Sequence, residues 1–150
     1  IVKTTQELCQ HIAANGQDLH LETGQETAEN LLQFIADVGT NNLYVNFDPA
    51  NMILYGQGDP IEAVQKLGSL IHSVHCKDAK WSDQPGITWG QEMPLGQGDV
   101  GMENFLATLQ SIGYTGPLTI EREIPQEPER QKAEIQHAAG LLQELRSQLL

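Results

Sequence analysis

Four short apolar runs in this chain each finish on a side chain that can ligate a metal ion or carry a proton. DLHLE ends on Glu22, LYVNFD on Asp48, HSVH on His75 and LTIE on Glu121. Such runs, with β-branched and aromatic members, read as buried strands. Pro49 stops the second from continuing the ladder. A carboxylate at the tip of a buried strand is costly unless something pairs with it. One such tip is ordinarily a solvated rim residue, and one such histidine a satisfied core residue. Four in consecutive strands point to a shared site, with the rest of the chain as the scaffold that gathers them.

The intervening segments carry helical periodicity. Lys3–Asn15 sets Leu8, Cys9, Ile12 and Ala13 on one face and stops at Gly16. Thr27 caps a helix with Leu31, Leu32, Ile35 and Val38 at helical spacing, ended by Gly39. Asp59-Pro60-Ile61-Glu62 resembles a capping box with Pro at the first helical position, and opens a short helix through Val64 and Leu67. Met102, Phe105, Leu106, Leu109 and Ile112 mark another, stopped by Gly113. Pro128 starts the last, where Ile135, Ala138, Leu142, Leu145 and Leu149 line one face.

Between the third strand and the next helix the rhythm breaks. Residues 79–99 hold Gly86, Gly90, Gly96, Gly98, Pro85 and Pro94 with no sustained period. The stretch exceeds an ordinary connection of ~2–6 residues, which predicts a functional or mobile segment. Strict alternation elsewhere predicts an α/β chain with parallel strands and right-handed crossovers. Two closures fit: an open doubly wound sheet, or part of a (β/α)8 barrel. No glycine-rich phosphate fingerprint follows any strand, Gly24 standing alone after Glu22, which weakens the nucleotide-binding sheet.

The 150 residues suffice for one domain with a core, and a net charge of −12 disfavours a polyanion such as DNA as partner. The acidity suits a protein that concentrates a divalent cation, although a solvated acidic surface is the commoner cause. Cys9 and Cys76 have no CxxC spacing and read as reduced thiols of a cytoplasmic protein. No apolar run approaches the ~20 residues that span a membrane. The chain starts without Met, lacks signal-peptide character and enters a helical pattern at once, which reads as a piece of something longer.

Five motifs in register carry a specific resemblance. LHLETG with Glu22, NFDPANM with Asp48, SVHCKDA with His75, PLGQGDVGMENFL after the long loop and GPLTIERE with Glu121 follow one another along nearly the whole sequence. In this order the chain resembles the C-terminal half of the xylose isomerase-like TIM-barrel superfamily, strands five to eight with their helices. The resemblance implies one divalent metal, Mn²⁺ foremost and otherwise Mg²⁺, Co²⁺ or Zn²⁺, held by Glu22, Asp48, His75 and Glu121. It also implies that Glu22 and Glu121 carry protons. Two departures stand out. Ser73 occupies the place of the first His of an HxH pattern, and strands one to four are absent from a fold that takes ~250 residues. The missing N-terminal half, or a second copy of the chain, is therefore the expected partner, because an open half-barrel leaves strand edges unpaired.

Three carboxylates and one imidazole suit a hard or borderline divalent ion. Such an ion can bind both oxygens of an α-hydroxy-carbonyl sugar and stabilise the enediolate left by proton loss. Two carboxylates can then move that proton, giving isomerisation or epimerisation. Asn51 and Lys77 are candidate substrate contacts, and pairing within the site is the favoured reading of Lys77. Gln97 can meet a hydroxyl at the mouth. Trp81 and Trp89 can stack on a sugar ring or anchor the loop. Alternation turns Arg122 away from the side that Glu121 faces. Lys77 and Lys80 are the only cations expected near the mouth, which favours a neutral sugar over a phosphorylated one. An inosose-type dehydratase and a catalytically inactive half-barrel module are the alternatives. An abasic-site endonuclease, needing more site histidines and a basic groove, is disfavoured.

Overall fold

The strands pair in the order in which they occur. In the computed structural model, which describes residues 1–125 and 127–149 without the side chain of Leu149, β1 (Leu19–Glu22), β2 (Leu43–Phe47), β3 (Ile71–Cys76) and β6 (Leu118–Ile120) form one parallel sheet. A doubly wound sheet reverses its strand order at a switch point. Here the order never reverses, so crossovers of one hand lay their helices on the same face, as in an arc of a barrel. The first and last strands of the arc, β1 and β6, each have one neighbour.

Side-chain alternation separates the two faces. On β2, Leu43, Val45 and Phe47 are buried while Tyr44 and Asn46 between them are half-buried. The buried set packs against α2 (Ala28–Val38), α4 (Pro60–Leu67) and α5 (Met102–Ser111), through Leu31, Ile35, Val64, Leu67 and Phe105. Phe47 and Phe105 stack with centroids 5.9 Å apart. The other face, carrying His20, Tyr44, Asn46, Ser73 and His75, is polar.

The helices start and stop on the signals in the sequence. Thr27 accepts from Asn30 N, Asp59 accepts from Ile61 N and Glu62 N, and Gly39 ends α2 at φ +65°. The N-terminal helix α1 spans Val2–Ala13. In α6 (Pro128–Leu149), Ala138, Leu142 and Leu145 are buried and Ile135 is 40% exposed; the expected contribution of the Leu149 side chain lies outside the described residues.

Two elements were not expected. Pro49 does stop β2, but it also occupies the first turn of a helix, α3 (Pro49–Tyr55), capped by Asp48. The long segment contains an antiparallel ribbon, β4 (Asp78–Lys80) with β5 (Gln91–Met93). Its tip lies against the end of α3: Gly90 N donates to Leu54 O at 2.8 Å, and a Cβ at Gly56 would collide with the backbone of Pro85 and Gly86.

Asp78 fixes the return of this segment. Its buried carboxylate accepts from Gly96 N and Gly98 N through Oδ2, both at 2.9 Å, and from Ala79 N and Val100 N through Oδ1. Three of these donors, Gly96, Gly98 and Val100, lie outside any strand, so the side chain supplies the acceptor that a ladder would. Removing an acceptor from buried donors costs roughly 1–3 kcal/mol per group left unpaired. Asp78→Ala is therefore expected to lower unfolding free energy by about 3 kcal/mol or more, read from urea denaturation midpoints.

Candidate metal centre

Parallel strands put all their C-terminal ends at one rim. Glu22 closes β1, Asp48 follows β2, His75 stands near the end of β3 and Glu121 follows β6. One ligand atom from each lies within 4.8 Å of the others. The three carboxylates turn toward a single ring nitrogen. His75 Nδ1 is 2.9 Å from Glu22 Oε1 and 3.9 Å from Asp48 Oδ2, and it is in close contact with Glu121 Oε2. Asn46 Nδ2 lies 3.1 Å from His75 Nε2 and 3.5 Å from Nδ1, and steadies the ring.

The backbone between the strand tips is tied as well. Thr23 Oγ1 donates to Asp48 O and accepts from Asp48 N, at 2.9 and 2.8 Å. This clamp joins the residue after Glu22 to Asp48 and sets the spacing of the two ligands. Asp48 Oδ1 accepts from Ala50 N and Asn51 N, capping α3. Its other oxygen, Oδ2, is buried without a hydrogen-bond partner. An orphaned carboxylate oxygen aimed among ligand groups fits a cation. The donor set of Glu22, Asp48, His75 and Glu121 thus suits a divalent ion.

Lys77 supplies positive charge at the floor. It is 2% exposed, and Nζ lies 2.9 Å from Glu121 Oε1, 3.3 Å from Glu123 Oε2 and 3.7 Å from Asp48 Oδ2. Burial opposes its charge, but the hydrogen bond with Glu121 and the charges of Asp48 and Glu121 outweigh burial and raise its pKa. Glu121 is consequently held by one oxygen on Lys77 and presents the other to His75. Burial, with the charge of Asp48, also pushes the Cys76 thiol up to about 12, which keeps it protonated and inert.

The remaining expected residues divide. Asn51 sits beside the cluster, with Nδ2 donating to Thr23 O and Oδ1 accepting from Lys77, so both ends of its amide are engaged internally. Trp81 is half-buried against the core, and its backbone N–H donates to Asp99. Gln97 is exposed, in the turn that Asp78 pins. Trp89 is 72% exposed at the ribbon and meets Tyr55 edge to face. Arg122 points away from the site, as alternation requires, and bridges Glu92 and Glu134 at 2.6 Å each. Thr23, Asn46 and the hold of Lys77 on Glu121 were not singled out from sequence. The identical parity of Asn46 and Asp48 on β2 was the available signal for Asn46.

A profile of the family described as xylose isomerase-like TIM barrel matches residues 1–145. The chain belongs to this family. Among solved structures, a xylose isomerase domain protein from Planctomyces limnophilus is 57% identical, with a TM-score of 0.96 over 99% of this chain and 53% of that one. A D-tagatose 3-epimerase-like protein is 22% identical, with a TM-score of 0.77 over 99% of this chain and 54% of its own, a likeness of fold. An inosose dehydratase from Clostridium botulinum is 28% identical over 115 residues, 69% of this chain and 38% of that protein. The chain thus spans about half of these solved structures and 38% of this curated relative. Among the described residues no helix is long and apolar enough to cross a membrane.

Asp48 gives the centre a pH signature. Burial pushes its carboxyl up to about 7, against the opposing charge of Lys77. A carboxyl raised on folding favours the folded state at low pH and loses that contribution as pH climbs through the folded value. The metal-free protein is therefore expected to lose stability between about pH 4 and about pH 7, on the order of 4 kcal/mol from this group. Asp48→Asn flattens the fall, measured by urea unfolding with a chelator at the two ends of that range.

Proposed function

We propose that this chain is the C-terminal half of a divalent-metal-dependent sugar or sugar-phosphate isomerase/epimerase. The observation that carries the reading is the convergence of Glu22, Asp48, His75 and Glu121 on one point at the C-terminal rim of adjacent parallel strands. A cation held there would supply Lewis acidity to the carbonyl and neighbouring hydroxyl of an α-hydroxy-carbonyl substrate.

The protein's own groups divide the remaining work. Glu22 and Glu121 come from β1 and the end of β6, the outer strands of the arc, with β2 and β3 between them. They therefore approach the centre from opposite sides. One takes a proton from one face of the substrate carbon, and the other returns a proton to the opposite face, which inverts that carbon. Delivery to the neighbouring carbon gives the ketose–aldose exchange instead. Lys77 holds Glu121 by Oε1, so the proton moves at Oε2. Asn46 and the Thr23 clamp keep His75 and Asp48 in place while this happens.

The 28% identity to an inosose dehydratase favours a second reading, in which the same proton abstraction is followed by loss of hydroxide as water. In either case the outer edges of β1 and β6, unpaired among the described residues, and the half-length match support a second half-barrel as partner, with part of the substrate pocket on it. The net charge of −12 argues against a nucleic-acid substrate, and a small sugar in the cytoplasm completes the proposal.

In the full chain, Glu121→Gln and Glu22→Gln are each expected to cut turnover by roughly 10²–10⁴-fold. The assay pairs bound-metal content with a panel of ketoses, followed for epimerisation, and inososes, followed for water loss. Unchanged metal content and turnover in Glu121→Gln would remove the proposal. Water loss without epimerisation would move it to the dehydratase.

A further inference from the structure

Deeper along the same strands, toward their N-terminal ends, the polar face carries a second group of ligand-type side chains. One ligand atom each from Asp18, His20 and His72 lies within 4.8 Å of the others. His20 precedes Glu22 by one turn of the pleat, ~7 Å at strand rise. The group is thus separate from the four residues at the rim and shares no residue with them.

An irregularity in the ladder brings His72 there. Val45 pairs with Ile71, but the next residue, Asn46, pairs with Ser73. His72 is the extra residue of a bulge. Ser73 and His75 occupy the polar face, so simple alternation would turn His72 toward the helices. Bulges re-aim side chains in this way. The imidazole of His72 stacks on Tyr44, with centroids 3.4 Å apart and planes 12° from parallel. It presents itself at 90° to His20, 5.7 Å away. His20 is itself set edge-on to Tyr44 at 6.0 Å, and its Nδ1 lies 2.8 Å from Ser73 Oγ. A hydroxyl on one ring nitrogen fixes the imidazole and leaves the other nitrogen for a ligand, the usual support of a metal-binding histidine. In this half of the barrel Asp18 and His72 are exposed and His20 is half-buried.

We propose that Asp18, His20 and His72 form a second cation site, taking one borderline divalent ion of the Zn²⁺ type. Two imidazoles and one carboxylate make a three-ligand set that leaves a position open for water. Nitrogen-rich donors select borderline ions, whereas the three carboxylates and one imidazole at the rim accept hard ones. The two sites therefore differ in selectivity: Zn²⁺ fills the lower one and Mg²⁺ does not. This inference does not depend on the isomerase reading, because it concerns different ligands and is read by metal content.

The test uses the full chain that carries these residues, loaded with Zn²⁺ alone or Mg²⁺ alone, desalted and assayed for metal per chain. His72→Phe keeps an aromatic ring on Tyr44 and removes the ligand. It is expected to hold one Zn²⁺ fewer than the unsubstituted protein, with Mg²⁺ content unchanged. The difference of one is the readout whatever the rim binds, so failure of the rim site leaves this result interpretable. Should His72→Phe melt below the parent, His20→Gln and Asp18→Asn carry the same comparison. Equal Zn²⁺ content in the parent and a folded variant overturns the site, as does equal loss of Mg²⁺ and Zn²⁺.

Discussion

Within these residues the parallel ladder β1-β2-β3-β6 is sealed on one face by helices, and everything else follows from which side chains alternation sends there. Leu43, Val45, Phe47, Val74 and Cys76 go to the helices and are buried. Their neighbours go to the other face, which is polar from the histidines near its base to the carboxylates at its rim. A slip of one residue in any strand would exchange the two sets, so core and site are specified by the same register. Because the strands are parallel, one register also gathers all four ends at one rim.

The rim shows how repelling carboxylates are kept together. Asp48 spends Oδ1 on the first turn of α3 and leaves Oδ2 bare. Glu121 gives Oε1 to Lys77 and turns Oε2 inward. Each of these two carboxylates has one oxygen that anchors it and one that faces the centre. The anchoring partners are a helix N-terminus and a buried ammonium, both positive in character. This division keeps the carboxylates in place at the cost of a buried oxygen without a hydrogen bond, and a cation is the natural complement to it.

The parts legible in the sequence were those carried by local signals. Strand tips ending in Glu22, Asp48, His75 and Glu121 stand out because each interrupts an apolar run. The caps at Thr27 and Asp59 and the stop at Gly39 were readable for the same reason. The helix α3 is hidden because Pro49 carries two meanings, strand stop and first helical residue, and Asp48, a ligand candidate in the sequence, also caps. The ribbon β4–β5 was hidden among glycines and prolines, since its strands are three residues each and owe their order to Asp78 and to α3 rather than to their own pattern. The bulge at His72 leaves no trace in periodicity. It is a property of how β2 and β3 pair, and it appears only when both are in place. Lys77 reads from the sequence as a candidate substrate contact, with pairing favoured, and its full set of partners depends on the fold bringing Glu121 back beside it.

The contact between Gly56 and the ribbon tip has a mechanical consequence. Gly56 closes the helix that Asp48 opens, and backbone packs directly on backbone there, with no side chain between to absorb a shift. The tip and the carboxylate thus sit at two ends of one rigid strut, seven residues long. Bulk added at this far corner would be transmitted down the strut as a tilt of the Asp48 carboxylate, so a residue remote from the rim would shift the geometry of the acidic cluster.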